Sequence, residues 1–149
     1  VYKRQEMLRN DGLLLGLSDA GAHTSQLCDA DFATYLLAHW WREEGAITLE
    51  RAVWRLTGQP AAFLGLDGRG LVEPGAIADV VVFDPERVGS LPAERIHDFP
   101  NGADRLVAPS LGIEHVFVGG RAIRRGGHDL PVDAKRPPGR LLRDGRPQA

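Results

Sequence analysis

Leu13-Leu14-Leu15-Gly16-Leu17-Ser18-Asp19-Ala20-Gly21-Ala22-His23 is the stretch on which the reading of this 149-residue chain turns. A short apolar run ends in an acid, a turn of small residues and a histidine. An unbroken run of this length suits a parallel strand covered on both faces. In barrels of alternating strands and helices, reactive side chains gather at the C-terminal ends of such strands, which is where Asp19 falls. Only a dozen residues precede the run. The expectation is therefore α/β plus β: the C-terminal fragment of a TIM-type (β/α)8 barrel, its last strand and following helices, with nearly all earlier strands missing.

Length and composition bound what else is possible. A complete barrel of this type takes roughly 250 residues, more than the chain holds. Hydrophobic content of 43% and charged content of 26% suit a soluble globular protein. One cysteine excludes a disulfide framework within the chain, no apolar segment is long enough for a membrane span, and the cytoplasm is the expected compartment. Val1-Tyr2-Lys3-Arg4-Gln5 is what GTG TAT AAG AGA CAG encodes, a transposase adapter end, so residues 1–5 are expected to be an adapter-derived scar. Charge is uneven: residues 1–120 carry 10 Lys and Arg against 17 Asp and Glu, residues 121–149 carry 8 against 3. The basic tail has Pro137, Pro138, Gly139 and Pro147 among its arginines and no aromatic partners for bases, so a solvated tail is favoured and no nucleic acid is expected.

Outward from the run, Asp29 and Asp31 offer N-cap carboxylates, and Phe32, Leu36 and Trp40, with Ala33 and Leu37, mark an amphipathic helix closing at Gly45. Trp40 and Trp41 point about 100° apart, so only one can sit at the centre of the packed stripe. Thr48 caps a second helix with Leu49, Ala52, Val53 and Leu56 on its buried face, interrupted at Gly58 and Pro60. Helical periodicity stops at Gly65-Leu66-Asp67-Gly68-Arg69-Gly70, which reads as a domain boundary. Beyond it, Asp79 to Asp84 and Ile113 to Val118 read as strands, and Gly119-Gly120 as a two-residue hairpin turn into Arg121-Ala122-Ile123. Residues 86–112 read as a loop excursion.

Three segments carry a resemblance: Leu17-Ser18-Asp19, then Leu66-Asp67-Gly68-Arg69-Gly70 through Gly75-Ala76-Ile77-Ala78-Asp79-Val80-Val81-Val82-Phe83-Asp84-Pro85, then Gly112-Ile113-Glu114-His115-Val116-Phe117-Val118-Gly119-Gly120. Together they resemble the C-terminal third of the amidohydrolase superfamily, most closely the N-acyl-D-amino-acid deacylase group that includes D-aminoacylase. The resemblance implies that residues 6–65 end a metal-dependent hydrolase barrel, that residues 66–126 form part of a small β-sandwich, and that residues 127–149 are a Pro/Arg-rich tail. It also implies a divalent metal, zinc in the usual case, with its main ligands upstream of this chain, and a small N-acylated amino acid as substrate.

Asp19 matches the acid that ends the eighth barrel strand in that family, where it takes a proton from the metal-bound water, and it is also a possible weak ligand of the metal. A metal lowers the pKa of bound water to about 7, and a nearby carboxylate then collects its proton and passes it to the leaving amine. By pattern alone, a plain Asx turn over Ser18-Asp19-Ala20-Gly21 is an equal reading; the resemblance favours catalysis. His23 is a candidate for contacting the substrate carboxylate or carbonyl, with a surface or supporting histidine equally open. Ser18 is a weaker substrate-side candidate beside the alternative of a buried structural hydroxyl. Cys28 does not match the cysteine that serves such enzymes as a ligand, and His39 and His115 read as satisfied structural histidines. Linear amide hydrolysis is the leading expectation, and residues 1–149 alone are expected to be inactive. A related cyclic-amide hydrolase or deaminase is the alternative within enzymes, and a non-catalytic interaction module the alternative outside them.

Overall fold

The computed structural model describes residues 2–16, 18–21, 23–143 and 146–147, the last two by backbone alone. Helix α1 (Tyr2–Arg9) leads into the apolar run. Helix α2 opens as an α-helix over Phe32–Tyr35 and continues as a π-helix over Leu36–Glu43, followed by α3 (Leu49–Leu56) and α4 (Gly58–Leu64). The expected helix end is where the sequence placed it. Gly45 adopts the left-handed conformation, and the Gly45 and Ala46 amides return to the Trp41 and Trp40 carbonyls at 3.1 and 2.8 Å. The expected start differs: Asp31 lacks the extended backbone an N-cap requires and makes no side-chain cap bond. Its carbonyl serves instead, accepting from the Tyr35 amide at 2.8 Å and the Thr34 hydroxyl at 2.9 Å. Thr48 caps α3 as expected, accepting from the Arg51 amide at 3.2 Å.

The strand expected from the apolar run does not form. Leu13 to Gly16 follow an irregular path with no ladder partner among the described residues, and Leu17 lies outside them. A buried parallel strand depends on hydrogen-bonded neighbours along its edges, and here side chains stand in for them. Gln59 Nε2 on α4 donates to the Asp11 and Leu13 carbonyls at 2.9 and 3.2 Å, and Arg55 on α3 donates to the Asn10 carbonyl at 2.7 Å.

The β region matches its expected strands and adds others. β1 (Val80–Phe83), β6 (Ile113–Val118), β7 (Arg121–Arg125) and β8 (His128–Asp129) form an antiparallel sheet in the order β1-β6-β7-β8. Gly119 and Gly120 both hold the positive φ that a two-residue hairpin turn needs. The presumed loop excursion contains two short ladders, β2 (Gly89–Ser90) with β5 (Ser110–Leu111) and β3 (Glu94–Ile96) with β4 (Arg105–Val107). Strands of two or three residues are too short to show an alternating pattern, which is why sequence reading passed over them. A last pair, β9 (Leu142–Arg143) with β10 (Arg146–Pro147), lies in the tail.

Helices and strands share one core. Val88, fully buried, enters the cluster of Leu8, Leu36, Leu37, Trp40, Ala46, Ile47 and Ala52, and Phe83 and Ile113 pack against it. Of the two adjacent tryptophans, Trp40 is in the cluster and Trp41 lies beside it. The Arg42 guanidinium on the π-helix donates to the Val88 and Pro85 carbonyls at 2.6 and 3.1 Å, joining α2 to the segment after β1. Gly112 makes the close approach possible: with φ of 68°, an added Cβ would fall 2.6 Å from the Val88 backbone nitrogen. Gly126 has a similar φ of 56° with nothing within 4 Å of the same position.

These two glycines separate conformation from packing. Gly126→Ala is expected to cost about 1 kcal/mol from the left-handed conformation alone, and Gly112→Ala about 3 kcal/mol or more because backbone must also move. Urea titrations read both, and equal losses would refute the packing argument. Arg55 yields a second expectation, since burial lowers its pKa, with Arg51 adding to the effect, and no carboxylate pairs with it among the described residues. Arg55→Met, which fills the space but removes a donor from the Asn10 carbonyl, should lose about 1 kcal/mol, and Arg55→Ala, which also leaves a hole, about 2–4 kcal/mol. A Met variant as damaged as the Ala variant in the same titration would show that the guanidinium itself is required.

Candidate active site at Asp19

Ser18, Asp19 and His23 share one loop between the apolar run and α2. The Ser18 hydroxyl accepts from the Ala20 amide at 3.4 Å, a turn closed across Asp19. Asp19 is exposed, and among the described residues nothing donates to or pairs with its carboxylate. His23 is exposed too and holds a φ of 51°, a left-handed conformation uncommon for a residue other than glycine. Its carbonyl closes the next turn, accepting from Gln26 and Leu27 amides at 2.7 and 3.1 Å. Among the described residues neither the carboxylate nor the imidazole has a hydrogen-bond partner, and the two stand four residues apart on a loop whose backbone is tied down.

The ties come from the β3–β4 hairpin. The Leu106 amide donates to the Thr24 carbonyl at 2.9 Å, and Arg95 NH2 donates to the Ser25 carbonyl at 3.0 Å. Arg95 also pairs with Asp104 across the hairpin. At the hairpin's tip Arg105 grips Asp98 with two bonds, 2.8 Å from Nε and 2.6 Å from NH2, while lying over the Phe99 ring at 5.6 Å. Hydrogen bonding from Arg105 lowers the Asp98 pKa, the bond to Asp98 raises that of Arg105, and hydrogen bonding from Arg95 lowers that of Asp104.

The other candidates are placed apart. His39 Nδ1 lies 3.0 Å from a Glu43 carboxylate oxygen and its ring stacks on Tyr35, while His115 Nδ1 accepts from the Gly126 amide at 3.3 Å, so both are satisfied within the fold. Cys28 is a partly buried free thiol. No three His, Cys, Asp or Glu side chains among the described residues gather as a metal site. A cavity of about 460 Å³ opens between Arg69, Asp79, Gly119 and Arg140, and one of about 280 Å³ between Leu13, Leu15, Trp40 and Arg55. Neither counts Asp19 or His23 among its walls.

Sequence reading missed Arg55, Gln59 and Arg95, the side chains that hold the run and the loop. Arg55 was visible in part: three residues after Ala52 and one before Leu56, it is a charge on the buried face of α3. Arg95 carried no signal of its hold on the loop, because the partner there is a backbone carbonyl about seventy residues away.

The lowered carboxylates set a pH dependence. A group whose pKa is depressed on folding contributes stability above its unfolded value, here 3.8, and loses it as pH falls through the folded one. Carbon-13 NMR of the Asp98 and Asp104 carboxyls should show both titrating below 3.8, with the β3–β4 amide shifts following them. Midpoints at or above that value would mean that neither pair persists in solution.

Comparison with known proteins places these features in a lineage. A family described as the amidohydrolase family matches residues 1–124. D-aminoacylase of Alcaligenes xylosoxydans xylosoxydans is 39% identical over 88 residues, 59% of this chain and 16% of that protein. The N-acyl-D-glutamate deacylase of the same organism is 40% identical over 110 residues, 74% of this chain and 20% of the relative. A solved D-aminoacylase variant in complex with copper chloride superposes with a TM-score of 0.55 and 36% identity, covering 74% of this chain and 20% of that one. The chain spans a fifth or less of the length of these relatives. With the family match running through both the helical half and the sheet, the chain belongs to the amidohydrolase family.

Proposed function

We propose that this chain serves a metal-dependent amidohydrolase that cleaves the linear amide of N-acyl-D-amino acids, and that it supplies the proton-transferring carboxylate, Asp19. Residues 6–65 are read as the end of the hydrolase barrel, residues 66–126 as part of a small β-sandwich, and residues 127–149 as a Pro/Arg-rich tail. The observation that carries the reading is Asp19 itself: an exposed carboxylate with no partner among the described residues, at the end of an apolar run in an amidohydrolase-family chain. An acid kept only for a turn would be expected to accept from the amide two residues on, that of Gly21; among the described residues the turn is closed instead by the Ser18 hydroxyl, which accepts from the Ala20 amide.

Zinc takes about four ligands in a structural site and three protein ligands in a catalytic one. The described residues of this chain gather no such set, so the ligands belong elsewhere in the enzyme and Asp19 contributes at most a weak one. The similarity to a D-aminoacylase variant in complex with copper chloride supports a divalent metal in the complete enzyme. When bound, such a metal acidifies water and polarises the scissile carbonyl.

The residues on this chain then have distinct tasks. The Asp19 carboxylate accepts a proton from the attacking water and returns it to the departing amine nitrogen, so one oxygen serves both steps. His23 binds the substrate carboxylate or carbonyl from the same loop, and Ser18 keeps the turn closed so that Asp19 faces outward. The relatives' names favour D-amino acids with an N-acyl group, and similarity to both a D-aminoacylase and an N-acyl-D-glutamate deacylase supports the small-molecule substrate class. Among the described residues no helix is long and apolar enough to cross a membrane, and the free Cys28 suits a reducing compartment, so the cytoplasm is our proposed location.

In the enzyme that carries this chain, Asp19→Asn should lower kcat on an N-acyl-D-amino acid by about 10²- to 10⁴-fold with unfolding unchanged, and His23→Ala should raise KM by roughly tenfold. Steady-state hydrolysis of N-acyl-D-, N-acyl-L- and cyclic amide substrates measures both. An Asp19→Asn enzyme within twofold of the parent would remove the catalytic reading, and turnover of the cyclic amide alone would move the substrate class.

A further inference from the structure

We propose that Arg95 is a positioning residue that holds the turn after Asp19 in the shape that presents His23; this rests on the roles given above to Asp19 and His23. Arg95 and Leu106 are directly opposite one another in the β3–β4 ladder. Their two donors grip consecutive carbonyls of the loop, Ser25 and Thr24. Because the Leu106 amide is committed to Thr24, it points away from β3. The loop therefore meets the outer edge of β4 at Leu106.

Arg95 is matched to this task by its planar fork. One arm, NH1, pairs with Asp104, and the other, NH2, reaches the Ser25 carbonyl. A lysine ammonium can donate to the carbonyl but lacks two arms fixed at an angle, so it cannot be aimed by Asp104 in the same way. At the same end of the hairpin the Arg105–Asp98 pair ties the connection between β3 and β4 a second time. The positive φ of His23 lies between the catalytic candidate and the gripped carbonyls. Such a conformation persists where its surroundings over-determine it, and here those surroundings are the Gln26 and Leu27 amides on one carbonyl and the hairpin donors on the next two.

A residue acting in this way governs how substrate is met more than how fast the bond breaks. The test uses the enzyme that carries this chain, with Arg95→Gln and Arg95→Lys variants read by hydrogen exchange and by kinetics on an N-acyl-D-amino acid. Arg95→Gln should speed exchange at the Gln26, Leu27 and Leu106 amides by on the order of tenfold, while the Val116 to Val118 amides in the sheet stay as protected as in the parent. KM should rise by roughly five- to tenfold with kcat within twofold, and Arg95→Lys should recover part of both effects. Unchanged exchange at those loop amides overturns the proposal, and so does a fall in kcat at constant KM, the mark of a merely destabilised fold. The exchange result does not depend on what Asp19 does, so an active Asp19→Asn enzyme would remove the catalytic reading and leave the hold by Arg95 standing.

Discussion

Carbonyl oxygens with no strand to satisfy them are the constraint on which the helical half depends. The carbonyls of Asn10, Asp11 and Leu13 accept from side chains of α3 and α4, and that of Asn10 also takes the Leu13 amide at 3.3 Å. Leaving such groups unpaired away from water costs about as much as a lost hydrogen bond each. Arg55 and Gln59 meet the need, and both are buried to do so. The arrangement is imperfect, because Arg55 Nε and Gln59 Oε1 are themselves buried without a partner among the described residues. A charged side chain is held in a core position by what it does for the backbone, and that bond fixes the direction in which the apolar run travels toward Asp19.

The surface of the chain follows from the same shortage. It exposes 10386 Å² at 16.2 kDa, where a compact chain of that mass exposes roughly 7,500 Å². Much of the excess is apolar: Val72 is 93% exposed, Phe63 72% and Leu64 62%. On the sheet, β1 is an edge strand with Val81 and Val82 both open, although strands of this composition are normally covered. Apolar faces of this extent are the kind that proteins cover with further polypeptide, and the chain spans a fifth or less of its relatives' length.

What could be read in advance divides along a physical line. Features set by local chemistry were legible: Thr48 as a cap, Gly45 as a helix end, the Gly119-Gly120 turn, and β6 at its full extent from Ile113 to Val118. Features set by distant partners were not. The apolar run had the composition of a buried strand, but a strand is a relation between segments, and its neighbours are not among the described residues. Asp31 had the right side chain for a cap and the wrong backbone, which nothing in its neighbourhood reveals. Of the candidate site, Ser18, Asp19 and His23 stood out because acid, turn and histidine follow one another, and the structure places all three on one loop. Arg95 could not be named, because the partner that ties it to the loop is a backbone carbonyl, which leaves no side-chain signature.

That last point bears on how such a loop is encoded. The hairpin holds Thr24 and Ser25 through their carbonyls, which any residue would offer, so the identities of these two residues are not constrained by the hold. The information sits instead in Arg95 and in the acid nine positions later that orients it. A loop anchored by its backbone is free to vary its side chains while its shape is kept by a residue about seventy positions away. On the roles proposed for Asp19 and His23, specificity can then drift at His23 and its neighbours without disturbing the turn that follows Asp19, provided the arginine and its carboxylate stay together.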